Sequence, residues 1–174
     1  MRKKKKDITI LVIGYGNVAR LDDGLGPAFA ARIQTLKLTD VTADSKSQLT
    51  VEDAVTIAQL DYVLFADASV NGPEPFELKA LKVPHRGRLG FSTHNLSPAA
   101  LLGLTRELFG SAPKAYLLQI RGHVFNDFGD KLSKRARANL DAAVEHLTPL
   151  LQTGFRHCLD HPPKNASPSL SESS

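Results

Sequence analysis

Apolar residues run almost unbroken from Ile8 to Ile13. Such a run reads as a parallel strand buried on both faces, which we place at 8–14. A helix is predicted over 27–37, because Pro27 suits a first helical position and Phe29, Ile33 and Leu36 follow at helical spacing. A strand is expected around 39–44. Thr50-Val51-Glu52-Asp53 spells a capping box that opens a short helix to about Leu60. Tyr62 to Ala66 is a second buried run, ended by Asp67. Phe76 to Val83 alternates as an edge strand does, and Ala115 to Ile120 is a further buried strand. Ser97-Pro98 caps a helix to Phe109 with Leu101, Leu104 and Leu108 on one face. Ser133 caps a last helix through Leu140, Val144 and Leu147, which Pro149 kinks or ends. This alternation predicts an α/β fold: three layers, with a mostly parallel twisted sheet of about five strands and helices on both faces.

Composition fits one globular domain, with 174 residues, 42% hydrophobic and 23% charged. We expect that domain to cover 8–157, between a basic tail at 1–7 and a Pro/Ser-rich tail at 158–174, both disordered. The net charge of +4 comes from the first tail: Arg2 and Lys3 to Lys6 carry five positive charges, and the remainder sums to −1. A nucleic-acid partner would need a basic face across the fold, with aromatics for single strands, and is not expected. No apolar run reaches the roughly 18 residues of a membrane span, and the basic start leads into a short strand instead of a signal-peptide core. Cys158 is the only cysteine, so neither an internal disulfide nor a cysteine-held metal is expected, and the cytoplasm is the expected compartment.

The stretch from Gly14 to Pro27 follows the first strand, at the sheet end where open α/β folds bind ligands. Its Gly14-Tyr15-Gly16-Asn17-Val18-Ala19 fits a dinucleotide fingerprint, with Asp40 at a suitable distance. That reading requires a helix starting inside the glycine turn. Gly24, Gly26 and Pro27 interrupt any such helix, and Asp22 and Asp23 would repel a diphosphate.

Other polar groups stand at strand or loop ends. Asp67 follows Val63-Leu64-Phe65-Ala66, a ligand position, although a turn aspartate bonding its own backbone also fits. Ser92-Thr93-His94-Asn95 precedes a capped helix, where a lone histidine is also compatible with a structural role. Asp22 or Asp23 could serve only as a helix-entry charge. Two carboxylates and an imidazole together suit nickel, zinc, manganese or iron. Arg121, ending a buried strand, needs a partner or a ligand. Lys82, His85, Arg86 and Arg88 form a basic loop suited either to solvent or to docking an acidic partner. Neither a nucleophile elbow nor a zincin helix is present.

With these residues in view the chain resembles the NiFe-hydrogenase maturation endopeptidases, over about Ile10 to Leu147. The resemblance is carried by Gly14-Tyr15-Gly16-Asn17 with Asp22-Asp23-Gly24-Leu25-Gly26, by Asp67-Ala68, by Ser92-Thr93-His94 and by Leu132-Ser133. It implies removal of a C-terminal peptide from the precursor of a hydrogenase large subunit. The precursor itself would supply the nickel, and no organic cofactor is implied. Matched residue by residue, the implied nickel ligands are Asp23, Asp67 and His94. The family's first ligand is often glutamate, so the shorter Asp23 leaves Asp22 open as a substitute. The segment Asp44 to Ala54 replaces a glycine-rich one, and with Ile120-Arg121-Gly122 and Phe125 it is similar to the branch serving soluble NAD-coupled hydrogenases.

Under this reading Asp22, Asp23 and Asp67 form the catalytic set, with Asp22 orienting or deprotonating the attacking water. Asn at position 22 would then slow cleavage and spare binding. Arg121, Arg86 and Arg88 are the expected substrate-docking residues, and a monomer meeting a large transient partner is expected. Two other classes fit the same residues: a hydrolase of small amides with its own metal, and a precursor-binding chaperone that does not cut.

Overall fold

The computed structural model describes residues 8–85 and 96–155. Five strands form one sheet in the order β2-β1-β3-β5-β4: β1 (Ile10–Tyr15), β2 (Val41–Lys46), β3 (Tyr62–Ser69), β4 (Phe76–Leu81) and β5 (Lys114–Arg121). All pairs are parallel except β4 with β5, which runs antiparallel and makes β4 the edge. The helices are α1 (Leu25–Thr35), α2 (Asp53–Ile57), α3 (Pro98–Phe109) and α4 (Lys134–Gln152).

Side chains alternate across the central strands, and so divide the core in two. Ile10 and Val12 of β1, Tyr62 and Leu64 of β3, and Leu118 and Ile120 of β5 pack with Phe29 and Ile33 of α1 and Leu140 and Leu147 of α4. On the other face, Leu11, Ile13, Val63 and Phe65 meet Ile57 of α2 and Leu101 and Leu102 of α3. This is the three-layer α/β arrangement the alternation predicts.

From β1 the chain turns through α1 to β2 on one side, whereas from β3 it continues to the opposite side of the sheet. The gap between the carboxyl ends of β1 and β3 is therefore the topological switch point, where open α/β sheets bind ligands.

Boundaries differ from expectation in instructive ways. α1 starts at Leu25, so Pro27 lies inside its first turn, where a missing N–H costs little. β2 is shifted to Val41–Lys46, and α2 stops at Ile57. Half of the capping box forms, with the Thr50 backbone N–H donating to Asp53 Oδ2 at 2.9 Å. β3 runs on to Ser69, which puts Asp67 within the strand instead of after it. Pro149 does not end α4, which continues to Gln152, with the Thr153 N–H bonding the Pro149 carbonyl at 3.1 Å. No described helix is long and apolar enough to cross a membrane. Residues 1–7 and 158–174, the expected tails, lie outside the described residues.

Candidate functional site

The glycines of the first loop are set by close approach. A Cβ on Gly26 would lie 2.4 Å from the carbonyl oxygens of both Tyr15 and Ala66, so the first turn of α1 sits directly against the ends of β1 and β3. Gly16 has φ +145°, a conformation side chains disfavour, and its missing Cβ leaves room for the Asp23 carbonyl. The loop thus folds back on itself. Asn17 donates its backbone N–H to Asp23 Oδ2 at 2.9 Å, and its own Oδ1 accepts from Ala19 N at 2.9 Å. A 3-10 turn, Leu21–Gly24, then places Asp22 and Asp23 in succession, with Asp22 buried and Asp23 half-buried.

Asp67 shares strand parity with Val63 and Phe65, as Tyr15 does with Leu11 and Ile13, so both lie on the face covered by α2 and α3. The register pairs Gly14 with Ala66, and this sets Tyr15 beside Asp67 at the switch point. Tyr15 bonds the Asp67 carboxylate through its hydroxyl. Burial pushes the Asp67 carboxyl up to about 6; the bonds from Tyr15 and from Ala68 N, the latter 2.8 Å, oppose that, and the charge of Asp23 adds to it. Burial first, and then the Asp67 charge and hydrogen bond, raise the Tyr15 phenol, which therefore stays a donor. Two carboxylates close enough to repel, in a partly desolvated crevice, form a donor set suited to a divalent cation.

Asp22 has a different part. Its Oδ1 accepts from Ser133 N at 2.7 Å. Its Oδ2 accepts from His123 N at 2.8 Å, Val124 N at 2.9 Å and Ser133 Oγ at 2.8 Å. Burial works against its charge, yet these bonds, the Ser133 N–H first among them, outweigh it and hold its carboxyl below the ordinary value. The expected water-activating carboxylate is thus an anchor, fully engaged and 0% exposed, joining the first loop to the segment between β5 and α4. Ligation by Asp22 in place of Asp23 is disfavoured for the same reason.

Arg121, expected to dock substrate, has partners within the chain. Its Nη1 donates to the Gly72 carbonyl at 2.6 Å and its Nε to the Gly122 carbonyl at 3.2 Å, bracing the β3–β4 loop. Beside it, Glu74 accepts from Arg135 at 2.8 Å and Asn139 at 3.2 Å, and meets His123 Nε2 at 2.7 Å. His94, Arg86 and Arg88 lie outside the described residues. Among the described residues no group of three His, Cys, Asp or Glu side chains converges to hold a metal. Tyr15 was not singled out by sequence reasoning. Its position between two loop glycines at the end of β1, beside the strand that carries Asp67, is the signal that identifies it.

No protein-family model and no curated protein matches the chain. Solved structures do match it. The hydrogenase maturating endopeptidase HybD from E. coli is 22% identical, with a TM-score of 0.65 over 84% of this chain and 94% of that one. The [NiFe] hydrogenase maturation protease HycI from Thermococcus kodakarensis is 25% identical, with a TM-score of 0.63 over 84% and 94%. The hydrogenase 2 maturation peptidase from a Thaumarchaeota archaeon is 24% identical, with a TM-score of 0.61 over 83% and 99%. At these identities the likeness is one of fold. The chain is thus built on the fold shared by these hydrogenase maturation endopeptidases.

Proposed function

We propose that this protein is an endopeptidase that removes the C-terminal peptide from the nickel-loaded large-subunit precursor of a NiFe hydrogenase. The observation that supports this most is the pairing of Asp23 and Asp67 across the switch point, with Tyr15 bonded to Asp67. In this reading the two carboxylates, with His94 as the third donor, take the nickel that the precursor brings. Nickel near the scissile bond polarises its carbonyl and acidifies water. The chain's own residues orient that encounter. Asn17 N–H fixes one oxygen of Asp23, and Tyr15 and Ala68 N–H fix Asp67. Asp22, held by its donors, anchors the loop and leaves Asp23 and Asp67 to meet the cation.

The test is mass spectrometry of a cognate precursor, nickel-loaded or nickel-free, after incubation with the protein. Loss of the C-terminal peptide in the loaded sample alone is the expected result. An intact precursor in both samples contradicts the reading, whether or not the protein binds it.

A further inference from the structure

The loop that carries Asp23 is zipped to the segment between β5 and α4. Leu21 N–H donates to the Gly129 carbonyl at 2.9 Å, Gly129 N–H to the Ala19 carbonyl at 2.9 Å, and Asp22 N–H to the Val124 carbonyl at 3.1 Å. The two segments enclose a cavity of about 170 Å³ lined by Arg20, Phe125, Asn126, Asp127 and Phe128. That is smaller than the roughly 300–1,000 Å³ of small-molecule sites, and it has room for one side chain.

The two segments also carry uncovered apolar side chains. Phe128 is 80% exposed, Val18 60% and Val124 40%. A phenylalanine held that far into water is unusual unless something covers it, and Arg20 is the group that stands over its ring, 5.8 Å from the centroid. Among the described residues Arg20 pairs with no carboxylate. Asp127 lines the same cavity and accepts from Phe128 N at 2.8 Å. Arg20 also lies one turn from the carboxylate pair, its carbonyl accepting from Asp23 N at 3.1 Å.

We infer that this cavity is a subsite for the peptide substrate, taking one bulky apolar side chain against Phe128 and Phe125 while Arg20 binds a carboxylate beside it. The inference rests on the endopeptidase reading. It deepens that reading by naming the part of the precursor recognised: an apolar residue next to an acidic group, in the C-terminal segment that reaches the Asp23 loop. An uncharged apolar surface would need no Arg20, and a free anion would need no exposed ring, so an extended peptide with both features fits best.

The test combines kinetics with direct binding. Phe128→Ala and Arg20→Gln are compared with wild type on the nickel-loaded precursor, and on a fluorescent synthetic peptide of the precursor's C-terminal segment. Leu108→Ala, an exposed apolar position on α3, is the control. Each subsite variant is expected to raise KM on the order of tenfold with kcat within about twofold, and to weaken peptide binding similarly. Thermal midpoints are expected to stay at the wild-type value, since the Phe128 side chain is exposed. The Arg20→Gln effect should shrink at high salt, where the wild-type contact is itself screened. Unchanged KM and unchanged peptide affinity in both variants overturn the inference while wild-type cleavage stands. If wild type leaves the precursor uncut, the endopeptidase reading fails, and the peptide-binding arm still decides whether the cavity takes the segment.

Discussion

Ser133 grips Asp22 twice, with its backbone N–H on one carboxylate oxygen at 2.7 Å and its hydroxyl on the other at 2.8 Å. The same hydroxyl accepts from Ala136 N at 3.2 Å and so caps α4. One side chain therefore fixes the start of the last helix and the position of the loop that presents Asp23.

Ser133→Ala removes a hydrogen bond to an ionised group together with a helix cap, and should cost about 2–3 kcal/mol in urea unfolding. Asp22→Asn should cost more, because one amide oxygen faces four donors. Asp22 holds its proton less tightly when folded, so its contribution is present above 3.8 and is lost as pH falls below that value. An Asp22→Asn protein with wild-type stability and no cleavage would return Asp22 to a chemical role.

Asp67 has the opposite sign. Folding raises its pKa from 3.8 to about 6, so the folded chain binds more protons across that window and stability falls as pH rises through it. Asp67→Asn should therefore be at least as stable as wild type at pH 7–8, while losing nickel-dependent action. Protons compete with the cation, so nickel-dependent binding of the precursor by wild type should weaken below about pH 6. Tyr15→Phe removes a donor from the carboxylate and should move that profile to higher pH. A profile left in place would show that the Tyr15 hydroxyl does not act on Asp67.

Gly14→Ala would set a Cβ 2.0 Å from the Gly26 carbonyl oxygen. Backbone cannot yield as a flexible side chain would, so a loss of about 3 kcal/mol or more is expected, with a melting temperature lower by about 6–12 °C. Gly110, at φ +78° with nothing within 4 Å of its missing Cβ, should cost only about 1 kcal/mol as alanine.

The buried strands were readable because a strand covered on both faces must be apolar there, as β1 and the Tyr62 to Ala66 run of β3 are. The caps at Ser97 and Ser133 were readable because each hydroxyl has one local task at a helix start. The bonds that engage Asp22 were hidden for a physical reason. Its partners His123, Val124 and Ser133 lie more than 100 residues away, so the loop sequence does not show that its oxygens are taken. Asp22 and Asp23 look alike in sequence, and only the 3-10 turn separates the buried anchor from the half-buried group near Asp67. Of the two outcomes expected at Pro149, the helix does not stop there, since α4 runs three residues further to Gln152. Tyr15 gained its meaning from register, which a single strand does not reveal.

The central claim is that Asp23 and Asp67 act together on nickel carried by the precursor. It is tested most directly by incubating nickel-loaded and nickel-free precursor with wild type, Asp23→Asn and Asp67→Asn, each first shown to be folded, and weighing the large subunit. The account predicts loss of the C-terminal peptide only with wild type and only from the loaded precursor. Cleavage by either variant at the wild-type rate, or equal cleavage without nickel, would contradict it.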